Sequence, residues 1–179
     1  MSHKLRRVVT GHNNHGKSII ELDEGPAKEL EADGSGLFEI WLSKGCPASD
    51  NQMFRDYIAE EELALCPPAG ATKVRWFAVP PEQPGMSDED KEAAAAFGFA
   101  AVQAEHARVD TSRHPMMHKT KSVDYIIIIK GEVDMLLDEG EARSLKPGDV
   151  VIQRGTNHAW VNHGKEPALL VAVLVDAEV

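Results

Sequence analysis

Cysteine is almost missing from this 179-residue chain: Cys46 and Cys66 are the only two, each is followed by proline, and neither has CxxC spacing or a histidine cluster beside it. A disulfide framework and a thiolate metal site are therefore not expected, and both thiols read as reduced and structural. Long apolar runs are missing as well. The isoleucine run at 126–129 is four residues long, and nothing approaches the ~18 apolar residues of a membrane span. The first ten residues are basic without an apolar core, so no secretory signal is read and a cytoplasmic protein is expected. Positive charge is in deficit: 19 Lys and Arg against 29 Asp and Glu give a formal net charge of −10, which sets the surface against nucleic acid and anionic membrane as partners. With no internal repeat and no shift of composition, one domain is expected.

What the chain has instead is a succession of short β-like segments divided by turn residues. Residues 6–10 and 17–22 are predicted as strands joined by Gly11-His-Asn-Asn-His-Gly16. Gly11 to Ser18 also matches the phosphate-loop pattern GxxxxGKS, which requires a helix opening at its lysine. Gly25-Pro26 arrives too soon for that helix, so a hairpin turn and no nucleotide cofactor are expected. A polar loop is predicted at 31–36, a strand at 37–42 and an acidic surface helix at 52–62. A further strand is predicted at 72–79, with Val74, Trp76 and Ala78 on one face and Arg75, Phe77 and Val79 on the other. Ser87-Asp-Glu-Asp90 reads as a helix start with acids in the first turn. That helix, about 88–105, carries Phe97, Ala101 and Ala104 on one stripe, with Gly98 as its weak point. It packs either over an open end of the fold or on an outer sheet face.

From Met117 onward strands are predicted at 123–130, 132–137, 142–145, 150–153, 158–162 and 168–175. The first two pair through Lys130-Gly131, and Asp138-Glu-Gly140 closes the next hairpin. Many short strands with one or two helices give an all-β class and a jelly-roll barrel, with residues 111–179 as its core and residues 1–110 as an N-terminal β extension of the same domain.

Two stretches carry chemistry. His114-Pro-Met-Met-His118-Lys-Thr-Lys-Ser-Val-Asp124-Tyr-Ile-Ile-Ile-Ile-Lys-Gly131 and Pro147-Gly-Asp-Val-Val-Ile-Gln-Arg-Gly-Thr-Asn-His158-Ala-Trp-Val-Asn162 resemble the two signature motifs of the cupin superfamily, in the expected order and near the expected separation. The chain also looks like single-domain, RmlC-like cupins that share Met-His-x-Thr…Asp-Tyr and Gln-Arg-Gly-Thr-Asn-His-Ala-Trp. The resemblance covers roughly the last third of the chain and implies a double-stranded β-helix. It places His118, Thr120, Asp124 and His158 around one spot and makes His118, Asp124 and His158 both the metal ligands and the catalytic set. Two histidines and a carboxylate suit Fe, Zn, Mn or Ni.

The sequence departs from the family pattern at Thr120, where a second histidine is usual, and at Asp124, one methylene shorter than the usual glutamate. The second motif is one residue shorter than usual and lacks its proline. A metal centre and a metal-free polar pocket, in which Asp124 shifts the pKa of His118, both remain open. On an extended strand His114, Met116, His118 and Thr120 would share one face; with Trp160 and Asn162 they make up the expected pocket. His114 and His118 also have the spacing of a zinc-protease helix, which Pro115 denies. Tyr125 is expected to face away from Asp124, and Gln153 and Arg154 to face outward or hold a turn.

Two functions from different classes follow from the resemblance. One is a small-molecule enzyme, such as a mononuclear metal-dependent oxygenase, isomerase, decarboxylase or lyase acting on an apolar or aromatic acid. The other is a metal-free or non-catalytic small-molecule binder, a sensor or accessory protein. Single cupins commonly pair through N-terminal strands, so a homodimer is expected.

Overall fold

A computed structural model of the chain describes residues 5–48 and 54–179. Its strands make a hairpin and two larger sheets. Strand β1, Arg7–His12, and strand β2, Ser18–Glu24, form the hairpin. Its turn is built by Asn13, whose side chain accepts from the backbone N–H groups of His15 and Lys17 at 2.9 and 3.0 Å, with Gly16 at φ +69°. The GxxxxGKS match therefore lies in a hairpin turn, and no helix opens at Lys17.

The polar loop expected at 31–36 is instead a strand pair. Strand β3, Lys28–Ala32, turns at Asp33 and Gly34, both at positive φ, into strand β4, Ser35–Lys44. The charges of β3 hid it, because it is an edge strand, where charged side chains guard against further pairing. Of the acidic helix expected at 52–62, residues 52 and 53 lie outside the described residues. Only one turn forms, α1 at Tyr57–Glu60, held by Ile58 against Leu42 and Ala71.

Strand β5, Ala71–Val79, leads to helix α2, Asp88–Ala100, whose cap Ser87 accepts from the Asp90 N–H. The helix ends five residues earlier than expected: Gln103 takes φ +55° and a 3-10 turn follows at Glu105–Ala107. Its apolar stripe is also corrected. Phe97 is 77% exposed and Ala101 is exposed, while Ala104 is buried as expected; the buried face of the helix is Ala95 and Phe99, continued past its end by Val102. Both stripes have helical spacing; Leu30, Leu37, Leu63 and Leu65 supply the surface that selects Phe99.

The remaining strands are β6, Ser122–Lys130; β7, Val133–Leu137; β8, Arg143–Leu145; β9, Val150–Arg154; β10, His158–Val161; and β11, Ala168–Asp176. The sheets run β3-β4-β5-β11-β6-β9 and β10-β7-β8. The expected pairing of β6 with β7 does not form. Gly131, at φ +77°, carries the chain from one sheet to the other, so close to Ala168 that a Cβ there would lie 2.9 Å from its Cα. The hairpin from β7 to β8 forms as expected. The result is an all-β jelly roll. Its apolar core joins Ile126, Ile128, Leu170 and Leu174 of the large sheet to Val133 and Trp160 of the small one. Among the described residues no helix is long and apolar enough to cross a membrane.

Candidate functional site

His158 lies on β10, and His118 lies in the segment before β6. Their backbones exchange two hydrogen bonds of 2.9 Å, an antiparallel bridge that puts the two rings 4.4 Å apart. Each ring is aimed by the same device. Nδ1 of His118 is 2.9 Å from the carbonyl oxygen of Met116, and Nδ1 of His158 is 3.0 Å from that of Thr156. A carbonyl can only accept, so in both rings Nδ1 carries the proton and Nε2 the lone pair. Burial lowers the pKa of both imidazoles, and with the neighbouring His118 it pushes His158 down to about 3. Both rings are neutral at physiological pH. The expected influence of Asp124 on His118 is not found; burial is the main cause of the shift, opposed by the Met116 bond.

The rings belong to a longer aromatic row. Phe99 of α2 packs on His118 at 4.9 Å, Trp160 meets His158 edge-on at 5.5 Å, and Phe77 lies 6.2 Å beyond Trp160. Helix α2 thus packs through Phe99 both on His118 and in the cluster with Leu30 of β3 and Leu37 of β4. Beside His158 and Trp160, their register partners Leu137 and Met135 line a cleft of about 410 Å³ with Val151, Gln153 and Thr156.

The segment 114–120 is not the extended strand expected of it. Pro115 sits in a turn closed by the Met117 N–H on the His114 carbonyl, so the period-two alternation fails there. Met117 is buried, and Met116 is 40% exposed. His114 accepts from the Met116 N–H through Nδ1 and lies 3.3 Å from Glu82 through Nε2, away from the two histidines' contacts. Asn162 donates to the carbonyls of Val79 and Glu166 and accepts from Gly164, fastening the turn after β10 to β5. Tyr125 faces outward, Arg154 is exposed, and Gln153 points inward and holds Thr156.

Asp124 is buried on the inner face of β6. Its Oδ2 accepts from Thr120 Oγ1 at 3.2 Å, Ser122 donates on to Thr120, and Oδ1 has no partner. Burial raises its pKa against those hydrogen bonds and the more distant Arg75. Thr120 is thus a partner of Asp124. Among the described residues no three His, Cys, Asp or Glu side chains come together as a metal-binding group. The donors for an iron, zinc, manganese or nickel ion amount to the two Nε2 atoms, which do not fit the three-ligand centre the motifs suggest.

Sequence reasoning missed a charged cluster. On β5 the face that turns inward is the one with Lys73 and Arg75. Glu39 of β4 stands opposite Arg75 in register, and its Oε1 accepts from Arg75 Nη2 at 2.7 Å and lies 3.9 Å from Lys73 Nζ. Both cations also donate to the Ala64 carbonyl, at 2.7 and 2.9 Å. All three side chains are almost fully buried, and burial together with Arg75 lowers Lys73 to about 8. Lys73 and Asp124 flank Leu174 from its two sides. The signal was present in the alternation of β5, but its two faces are equally apolar apart from the charges, and charges are normally assigned to solvent.

A cupin-domain family profile matches residues 106–174. Among curated proteins the chain is similar to phomopsin biosynthesis cluster protein C' of Diaporthe leptostromiformis, with 57% identity over 47 residues, 26% of this chain and 25% of that protein. It is 41% identical over 63 residues to a cupin-domain-containing oxidoreductase of Aspergillus ruber, 34% of this chain and 31% of that protein. The matched part thus spans about a quarter to a third of these relatives' length. Among solved structures, a cupin 2 conserved barrel domain protein from Salinispora arenicola overlaps with a TM-score of 0.42 at 15% identity, covering 84% of this chain and 83% of that one. Nothing about activity follows from an overlap of that size.

Proposed function

We propose, for a chain that belongs to the cupin superfamily through residues 106–174, that it is a small-molecule enzyme whose chemistry is proton transfer by the His118–His158 pair. The observation that carries this reading is the matched geometry of the two rings: each sets Nδ1 against a backbone carbonyl, burial disfavours the charged form of each, and they stand 4.4 Å apart. A neutral imidazole fixed in that tautomer accepts a proton at Nε2. Burial makes the resulting imidazolium unstable, so the ring returns the proton readily to substrate or to its neighbour. Isomerisation and elimination on a small molecule need a base that takes a proton from carbon and an acid that delivers one. No step is assigned to a divalent metal, because the donor set stops at two imidazoles. The names of the matched relatives, which include an oxidoreductase and a biosynthetic cluster protein, support an enzymatic role in making a small natural product. A homodimer is proposed as well, from the apolar outer face that Tyr125, Ile129, Val150 and Ile152 expose.

The test is complementation. Removing the protein from its host is expected to accumulate one small-molecule precursor, cleared by the wild type and not by His118→Ala or His158→Ala. Metal content of the purified protein, expressed with iron, zinc, manganese and nickel supplied in turn, is expected to be substoichiometric and unchanged by either substitution. Full complementation by both histidine variants would reject the reading; stoichiometric metal lost with either histidine would move the chemistry to a metal.

A further inference from the structure

The two edges of the six-stranded sheet differ in kind. Edge strand β3 reads Lys-Glu-Leu-Glu-Ala, with charges that discourage a further strand. Edge strand β9 reads Val-Val-Ile-Gln-Arg, with Val150 56% and Ile152 50% exposed. The ladder says which backbone groups of β9 are open. Ile128 accepts from the Gly148 N–H and donates to the Asp149 carbonyl, both at 3.1 Å. Bonded and non-bonded pairs alternate from there, so Ile126 with Val151 and Asp124 with Gln153 are bonded pairs. The N–H and C=O groups of Val150, Ile152 and Arg154 therefore point to the free edge, where among the described residues no strand meets them.

The cleft of about 410 Å³ runs along that edge. Val151 and Gln153, which turn inward, line it together with Ile152 and Arg154, which turn outward, and its far wall is Met135 and Leu137 of β7. A slot with a wall on each side admits a single extended segment, not the edge of a second jelly roll. Arg154 is exposed and, among the described residues, has no hydrogen-bond or ion-pair partner. Antiparallel pairing of β9 with its own copy would set glycine, valine or isoleucine opposite Arg154, none of them an anion. We propose that the free edge of β9 takes an extended peptide segment of a partner protein as an added antiparallel strand, with an acidic side chain opposite Arg154 and its inward side chains on Met135 and Leu137. Open backbone groups supply the affinity in such an addition, and the side-chain positions supply the choice of sequence. The proposal is independent of the chemistry assigned to His118 and His158.

The probe is the peptide acetyl-Glu-Leu-Thr-Val-Thr-amide. Laid antiparallel to β9, it sets its glutamate opposite Arg154, its central threonine opposite Ile152, and its leucine and valine toward the cleft. NMR titration is expected to shift the backbone amides of Val150, Ile152 and Arg154 and to slow their exchange with water about tenfold or more at saturation. Methylating the nitrogen of the central threonine removes the N–H that meets the Ile152 carbonyl, and is expected to weaken binding about tenfold or more. Glutamine in place of the glutamate should weaken binding about three- to fivefold in the wild type and not at all in Arg154→Gln. Arg154 is exposed, so that variant keeps the fold. The proposal is overturned if millimolar peptide moves none of the three amides, if the N-methylated peptide binds as well as its parent, or if glutamate and glutamine bind alike in the wild type. It is equally overturned if those amides are already protected in the peptide-free protein, which would mean that a second copy covers the edge.

Discussion

The two faces of the large sheet are made by alternate residues of the same strands, yet toward the end that carries Asp124 they invert the usual arrangement. Inside stand Glu39, Lys73, Arg75, Asp124 and Gln153, all buried; outside stand Val74, Trp76, Ile127, Tyr125, Val150 and Ile152, the last three exposed. At the other end the inner face is apolar, with Val79, Ile128, Ala168 and Leu170 in the core. The contrast separates what holds the fold from what the fold is for. The apolar end supplies the burial that drives folding. The charged end opposes it, since desolvating charges costs several kcal/mol per ion before pairing offsets it. A polar interior that weakens the fold is what a binding site looks like, and an apolar exterior is what a covered surface looks like.

The largest effect that can break this contrast comes from Glu39. Glu39→Ala strands Arg75 and Lys73 without their contact anion, and a loss of ~3–5 kcal/mol in urea unfolding is expected. Replacing all three together by apolar residues, Glu39→Leu, Lys73→Met and Arg75→Leu, should recover most of that loss. A cost below ~1 kcal/mol for Glu39→Ala would show that the three charges are not a coupled unit.

Next in size is the response to acid. Both histidines have folded pKa values below the unfolded value of about 6.5. As pH falls, the unfolded chain therefore takes up protons first. Their contribution is complete above about pH 6.5 and is lost toward the folded values, about 3 for His158, at ~1.4 kcal/mol per pH unit for each ring. Asp124 works in the opposite sense over the acidic part of that window: its folded pKa is raised, so protonating it favours the folded state. Unfolding free energies measured from neutral to acidic pH should fall, and His158→Asn should reduce the slope. A flat profile would mean that the rings are not buried as neutral species.

On the outer face, Ile152→Lys should convert a dimer into a monomer by light scattering while changing the stability of the monomer by no more than ~0.5 kcal/mol. A wild type that is already monomeric at micromolar concentration would leave the apolar face without its proposed partner. The smallest expected effect is on α2. A Cβ at Gly98 meets nothing within 4 Å, so Gly98→Ala should add about 0.5–1 kcal/mol without altering ligand binding. Phe99, the next residue along and on the buried face of the same helix, packs on His118, and Phe99→Ala should disturb both.

The all-β class and most strand positions were legible because short, largely apolar runs bounded by turn residues mark them directly, as at β5 and β11. The crossing at Gly131 was not. A glycine at positive φ serves a tight hairpin and a change of sheet equally well, and only contact with Ala168 separates them. His118 and His158 were legible through motif spacing and come together. His114 and Met116 were misplaced by assuming strand geometry through Pro115. Arg75 was visible only as a charge on a strand, because its inward direction depends on packing the sequence does not state.

The most direct test of the central claim, that the buried His158 and the half-buried His118 present neutral Nε2 lone pairs to the site, is long-range proton–nitrogen NMR of the histidine rings from about pH 8 down to about pH 5. The expected result is the Nδ1–H tautomer in both rings at the upper end of that range, with His158 still uncharged at its lower end and the midpoint of His118 displaced below its ordinary value. An Nε2–H tautomer in either ring, or an imidazolium at neutral pH, would contradict it.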